Sequence, residues 1–230
     1  MNSNKKTGRI TGVLLLLIFI SGIVIYQFLQ GPNLFTDNFL TTASGSANQL
    51  IISTLLGILS GLTSIVIATI LLPIFKRHSL TLAFLYLAFC IMHFVAIAID
   101  NVSVLSMLEV STEYAKNGTN NADILKTIGT IYYGKHWWTH YLTLLISCLP
   151  VFVLYYTFFY SRLVPRVISV FGMVAVMLMF LEIMFSLFGT SISMNMLLPM
   201  GLIQLVLPIW LLFKGLNNPL ENNNPMPQLP

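Results

Sequence analysis

The sequence predicts an all-α polytopic membrane protein, a bundle of six transmembrane helices with both termini in the cytoplasm. Three observations predict it. Of the 230 residues, 57% are hydrophobic and only 8% charged, against about 25% charged in a soluble domain. The mean hydropathy is +0.86. Six apolar stretches reach the roughly 20 residues that a spanning helix needs. A backbone in lipid must satisfy its own hydrogen bonds, so runs of this length read as helices. The short alternating segments of a membrane barrel do not occur.

The first span, Ile10–Phe28, follows Lys5, Lys6 and Arg9. It is longer than the roughly 7–15 apolar residues of a signal peptide, and the small-residue patch Ala43–Ala47 lies far downstream, so an uncleaved helix is expected. The second span, Leu50–Phe75, places Ser53, Gly57 and Gly61 four residues apart. Small residues at that spacing let helix backbones approach closely. The partner is either a neighbouring helix or a second copy of the chain, as a homo-oligomer. The remaining spans are Leu80–Leu108, Trp137–Tyr160, Pro165–Phe188 and Met194–Phe213. Pro150 and Pro208 interrupt the fourth and sixth, where a missing backbone donor favours a kink. Two exposed loops are expected, Gln30–Gln49 and Ser111–Lys135, with a turn at Asn117-Gly118-Thr119. One domain covers residues 1–215, and the Asn- and Pro-rich tail, residues 216–230, reads as disordered.

Orientation follows from the cations. Lys5, Lys6, Arg9, Lys76, Arg77, Arg162, Arg166 and Lys214 all fall on one side of six spans. Lys116, Lys126 and Lys135 fall on the other, near Glu109, Glu113 and Asp123. The positive-inside rule puts the first set, and with it both termini, in the cytoplasm. The net charge of +4 is spread over span ends, which argues against a nucleic-acid partner. Cys90 and Cys148 lie within spans and read as packed thiols. Phosphate-cradling glycine loops, Cys pairs at metal spacing, His-Glu-x-x-His and nucleophile elbows do not occur.

Ionisable residues in lipid are costly, about 2.5–3.5 kcal/mol at the bilayer centre, and usually face a bundle interior or mark a site. Four stand out: His93, Asp100, His140 and Glu182. His93 and Asp100 are seven apart and share a helix face. His136 and His140 are four apart, a spacing that suits two imidazoles on one metal, although beside Trp137 and Trp138 they also suit solvated anchors. Tyr132 and Tyr133 join those tryptophans in an interfacial aromatic belt. Glu182 has no basic neighbour in sequence and needs a partner from another helix. At about 1.5 Å per residue, Glu182 lies about 26 Å from the inner end of its span, His93 about 20 Å and Asp100 about 30 Å, with His140 about 5 Å below the outer edge. All four therefore fall in the outer half of the membrane. Gln204, on a face with Gly201 and Pro208, is a further candidate for a polar cavity there.

Three stretches carry a family resemblance: Arg9-Ile10-Thr11-Gly12-Val13-Leu14, Phe159-Tyr160-Ser161-Arg162-Leu163-Val164-Pro165-Arg166-Val167, and Pro208-Ile209-Trp210-Leu211-Leu212-Phe213-Lys214-Gly215. With them the chain, over nearly its whole length, resembles the bacterial membrane family catalogued as domain of unknown function 4386. The resemblance implies six helices and no known activity. It also implies an acidic residue well inside the fifth span, matched by Glu182, and one before the final Trp-Leu-Leu, where this chain has Gln204.

The residues favour a non-enzymatic protein in the lipid bilayer that binds or passes a small ligand, lipid or proton through a polar cavity lined by Glu182, His93, Asp100, His140 and Gln204. Two alternatives have different chemistry. One is a metal-assisted, hydrolase-like membrane enzyme with His93, His136 and His140 as ligands and Asp100 or Glu182 as ligand or base. A haem protein with histidine axial ligands is a variant of it. The other is an accessory subunit that only packs. The cofactor, if one exists, is not named by the sequence.

Overall fold

The computed structural model describes residues 3–36, 38–190 and 194–217. Its described residues form seven α-helices. Helix α1, Ser3–Ile23, runs on as a π-helical segment, Val24–Gln30. Two one-turn helices follow, α2 (Gly31–Leu34) and α3 (Phe39–Thr42). Then come α4 (Ala47–Lys76), α5 (Leu80–Ser161), α6 (Arg166–Leu187) and α7 (Leu198–Lys214). Non-helical dihedrals at Asn121 divide α5 into two arms. Five helical stretches have the length and composition to cross a membrane: Asn4–Leu34, Ser44–Lys76, Leu80–Asn117, Asn121–Ser161 and Arg166–Leu187. The sixth expected span corresponds to the shorter apolar α7, of 17 residues. Large apolar side chains stand exposed along these helices, among them Leu17, Leu55, Leu59, Ile99, Val102 and Leu202. In water that surface would aggregate; against acyl chains it costs nothing.

Local chemistry sets the helix ends. Ser79 caps α5, its hydroxyl accepting from Leu82 N–H at 3.3 Å. Arg162 closes α5 in the left-handed region at φ 54°. Gly215, at φ 70°, closes α7, and its N–H donates to the Leu211 carbonyl at 2.9 Å. Pro150 and Pro208 lie inside helices. In α5 the departure from helical dihedrals is at Asn121, so Pro150 does not break its arm.

The chain divides into two compact units. The first comprises Met1–Leu16, Val66–Phe89 and Cys148–Pro230. Its packing includes Phe75, whose ring meets Tyr86 and Phe158 at 5.7 Å each. Close backbone approach joins the ends of the chain: a Cβ on Gly12 would lie 2.8 Å from the Pro208 carbonyl oxygen, and one on Gly8 would collide with Leu216 N. Leu216 is buried and Asn217 N–H donates to the Leu163 carbonyl at 2.9 Å. These two residues, assigned to the tail by composition, are therefore held in place, Leu216 by burial and the exposed Asn217 by its backbone bond. Residues 218–230 lie outside the described residues.

The second unit comprises Leu17–Ile65 and Cys90–Ser147. Its apolar core gathers Leu34, Phe39, Ala43, Leu50, Val104, Met107 and Leu108. Here two loop expectations are corrected. Gln30–Gln49 is not an exposed loop: α2 and α3 fold back so that Leu34 and Phe39 reach the core, and Ser111 accepts from Ser44 N–H at 2.8 Å and donates to the Leu40 carbonyl at 2.9 Å. Ser111–Lys135 is the continuation of both α5 arms, with the break at Asn121 and not at Asn117. Charged side chains cut the apolar run there without breaking the helix. The Ser53, Gly57 and Gly61 face is occupied within the chain. Ser53 accepts from Gln30 Nε2 at 3.0 Å, a Cβ on Gly57 would lie 3.0 Å from Asn101 Nδ2, and one on Gly61 would lie 2.7 Å from Phe94.

Candidate functional site: Asp100 between two histidines

The second unit buries a carboxylate among imidazoles. Asp100, on the first arm of α5, is 5% exposed. The second arm carries His136, Thr139 and His140 on one face, because residues three and four apart are helix neighbours. Thr139 donates its hydroxyl to Asp100 Oδ1 at 2.7 Å. His136 Nδ1 lies 3.2 Å from the same oxygen, and His140 Nδ1 lies 3.6 Å from Oδ2. Each carboxylate oxygen therefore faces an imidazole. The contacts are close enough for strong Coulomb coupling but lack hydrogen-bond alignment, and both Nδ1 atoms are buried without a hydrogen-bond partner. Nε2 of His136 is also buried and unpartnered.

The π-helical segment and α2 supply the surroundings. The Tyr26 ring meets His140 edge-on at 5.2 Å, and Phe35, just past α2, stacks on His136 at 5.6 Å and lies 5.8 Å from His140. A π-helical turn widens the helix by one residue per turn and often marks a functional position. It carries Gln30 one turn beyond Tyr26, where Gln30 Nε2 donates to Ser53 while its Oε1 is buried and unpartnered. Neighbouring polar groups tie the helices together: Asn101 joins the first arm to α4 by donating to the Thr54 carbonyl at 3.0 Å, and Thr143 joins the two arms by donating to the Ala96 carbonyl at 3.1 Å.

Of the candidates read from sequence, the structure brings Asp100, His136 and His140 together. His136 is not a solvated anchor; it is 1% exposed. His93 sits seven residues before Asp100, about 10 Å along the helix axis, and is half-buried. The set His93, His136 and His140 is thus not assembled, and among the described residues no three His, Cys, Asp or Glu side chains are grouped to hold a metal ion. Glu182 belongs to the first unit, where it is buried and accepts from Ser186 one turn on, at 3.1 Å. Gln204, also in the first unit, is exposed on α7. Tyr26, Phe35 and Thr139 were not anticipated. Only Thr139 carried a signal, as a hydroxyl between two histidines on one face.

The arrangement holds one carboxylate and two imidazoles in contact, packed against the rings of Tyr26 and Phe35. The three stretches of family resemblance lie in the first unit, away from none of its packing: Gly12 meets Pro208, and Leu163 meets Asn217. No curated protein and no solved structure matches the chain. The family model described as "Domain of unknown function (DUF4386)" matches residues 10–215, and the chain belongs to that family.

Proposed function

We propose that this DUF4386 protein is a non-enzymatic, multi-pass membrane protein that takes up and releases a proton at Asp100, His136 and His140. The observation that carries the reading is the placement of two histidine Nδ1 atoms 3.2 and 3.6 Å from the two oxygens of one buried carboxylate. Intramembrane ionisable residues that face one another are the usual material of proton relays. Imidazole is the side chain suited to charge exchange near neutral pH. The titratable groups facing the cluster are Tyr26 from the π-helical segment, Asp100 from the first arm, and His136, His140 and the adjoining Tyr141 from the second.

In the proposed topology α7 is the sixth span and both termini are cytoplasmic, in a bacterial inner membrane. Support comes from the charges: the first unit holds eight of the 11 basic residues. The test is proton uptake by full-length protein in mild detergent after an acid pulse, followed with a pH dye and by infrared difference spectra of the carboxyl groups. The wild type is expected to show a carboxyl signal that Asp100→Asn removes, with fewer protons taken up. Unchanged uptake and spectra in Asp100→Asn overturn the reading. So does stoichiometric metal in the purified protein that is lost in His136→Ala, His140→Ala.

A further inference from the structure

The first unit carries a second feature, independent of the proton cluster. Its eight cations, Lys5, Lys6, Arg9, Lys76, Arg77, Arg162, Arg166 and Lys214, are all exposed. Among the described residues of this unit the one acidic side chain is Glu182, and it is buried. Packing draws several of these cations to one place. A Cβ on Gly215 would lie 2.7 Å from Lys5 Cα, so the backbone after Lys214 rests on the first turn of α1. Two residues on, Asn217 donates through its N–H to the Leu163 carbonyl at 2.9 Å and through Nδ2 to the Arg162 carbonyl at 3.3 Å. Arg166 follows at the start of α6, its guanidinium 5.2 Å from the centre of the Phe159 ring. The backbones at Lys5, Lys214 and Arg162 are thereby tied into one clasp, with Arg166 four residues on from Arg162. Beside it, Val167 is 80% exposed and Phe213 75% exposed.

We infer that this clasp is a binding site for the head group of an anionic phospholipid. A phosphodiester accepts several N–H bonds at once, and Arg offers a fork matched to it. The exposed Val167 and Phe213 fit the acyl chains that come with such a head group, which free phosphate lacks. Anionic lipid near a membrane surface attracts each Lys or Arg by about 1 kcal/mol. Cations on backbone that is already ordered have only their side chains left to order, which costs less than ordering a flexible basic tail as well.

The test uses full-length protein in mild detergent, titrated with phosphatidylglycerol or phosphatidylcholine, with bound lipids counted by native mass spectrometry. Phosphatidylglycerol is expected to be retained in preference. Arg162→Gln with Arg166→Gln should weaken it about 25-fold, or fivefold per charge removed. Arg166→Lys keeps the charge but loses the fork, and is expected to weaken retention less than Arg166→Gln does. Lys126→Gln with Lys135→Gln, in the second unit, should leave it unchanged. Equal retention of the two lipids overturns the proposal. So does an equal loss in the Lys126, Lys135 variant, or displacement of the lipid by an equal concentration of inorganic phosphate. Melting temperatures of the variants separate lost binding from lost folding.

Discussion

Replacing Asp100 by leucine tests the cluster most directly. The side chain is nearly the same size, so no large cavity opens, and the change removes one charge and two acceptor oxygens. The Thr139 hydroxyl loses its 2.7 Å bond to Oδ1 but keeps the 3.1 Å bond to the His136 carbonyl. A bond to a charged acceptor contributes about 1.5–3 kcal/mol. The two Nδ1 atoms at 3.2 and 3.6 Å lose the carboxylate oxygens they face and meet a leucine. Each buried polar group left without a polar neighbour costs about 1–3 kcal/mol. With the lost Thr139 bond, Asp100→Leu is therefore expected to lower unfolding free energy by about 3–5 kcal/mol in a denaturant titration in mixed micelles. A triple variant, Asp100→Leu, His136→Leu and His140→Phe, removes the stranded groups as well. It should return to within about 1 kcal/mol of wild type or exceed it, since buried polar clusters rarely stabilise more than apolar isosteres. The triple variant should still take up fewer protons. A loss under about 1 kcal/mol for Asp100→Leu alone would refute the reasoning, because Asp100 would then not be coupled to the imidazoles.

Gly12→Ala should destabilise by about 1–3 kcal/mol in the same titration, because its Cβ would press on the Pro208 carbonyl oxygen at 2.8 Å. Gly22→Ala, where a Cβ meets nothing within 4 Å, should be neutral or stabilise by about 0.5–1 kcal/mol. Gly57→Ala pushes on Asn101 Nδ2 and is expected to release its bond to the Thr54 carbonyl, seen as faster amide exchange across the facing turns of α4 and α5. His78, in the turn between α4 and α5, has its pKa lowered by burial and then by Arg77. Its neutral form is the folded one, so its contribution to stability is present above the ordinary histidine value of 6.5 and declines as pH falls below it. Protection factors of the amides at residues 76–80, corrected for the intrinsic pH dependence of exchange, should fall on acidification, and His78→Gln should flatten that fall.

The long helices were legible because apolar length alone predicts them, whereas the one-turn α2 and α3 fell in a stretch read as loop. Ile10–Phe28 and Leu50–Phe75 sit within α1 with its π-helical extension and within α4. The arms of α5 were cut short at Leu108 and Trp137 because hydropathy reports where lipid ends, not where a helix ends. Glu109, Glu113, Asp123 and Lys126 solvate a helix as readily as a loop. At the site, Asp100 and His140 were legible as charges in apolar runs. His136 was underrated because Trp137 and Trp138 look like an interfacial anchor, whereas burial depends on what packs opposite. That packing comes from Phe35 and Tyr26, placed by a π-helical turn with no clear signature in sequence. The expected company of Glu182 and His93 relied on depth alone, and depth does not say which helices adjoin.

The break at Asn121 has a mechanical consequence. Asn117 lies 17 residues beyond Asp100 along the first arm, about 26 Å at helical rise. The second arm returns over 15 residues from Asn121 to His136, about 22 Å. Both arms are also held beyond the cluster: Ser111 is bonded to Ser44 and Leu40, and Gly129 lies close against Leu40. The hairpin is thus braced along its length, and a change of charge at the proposed proton site would be met by side-chain rotation between fixed helices.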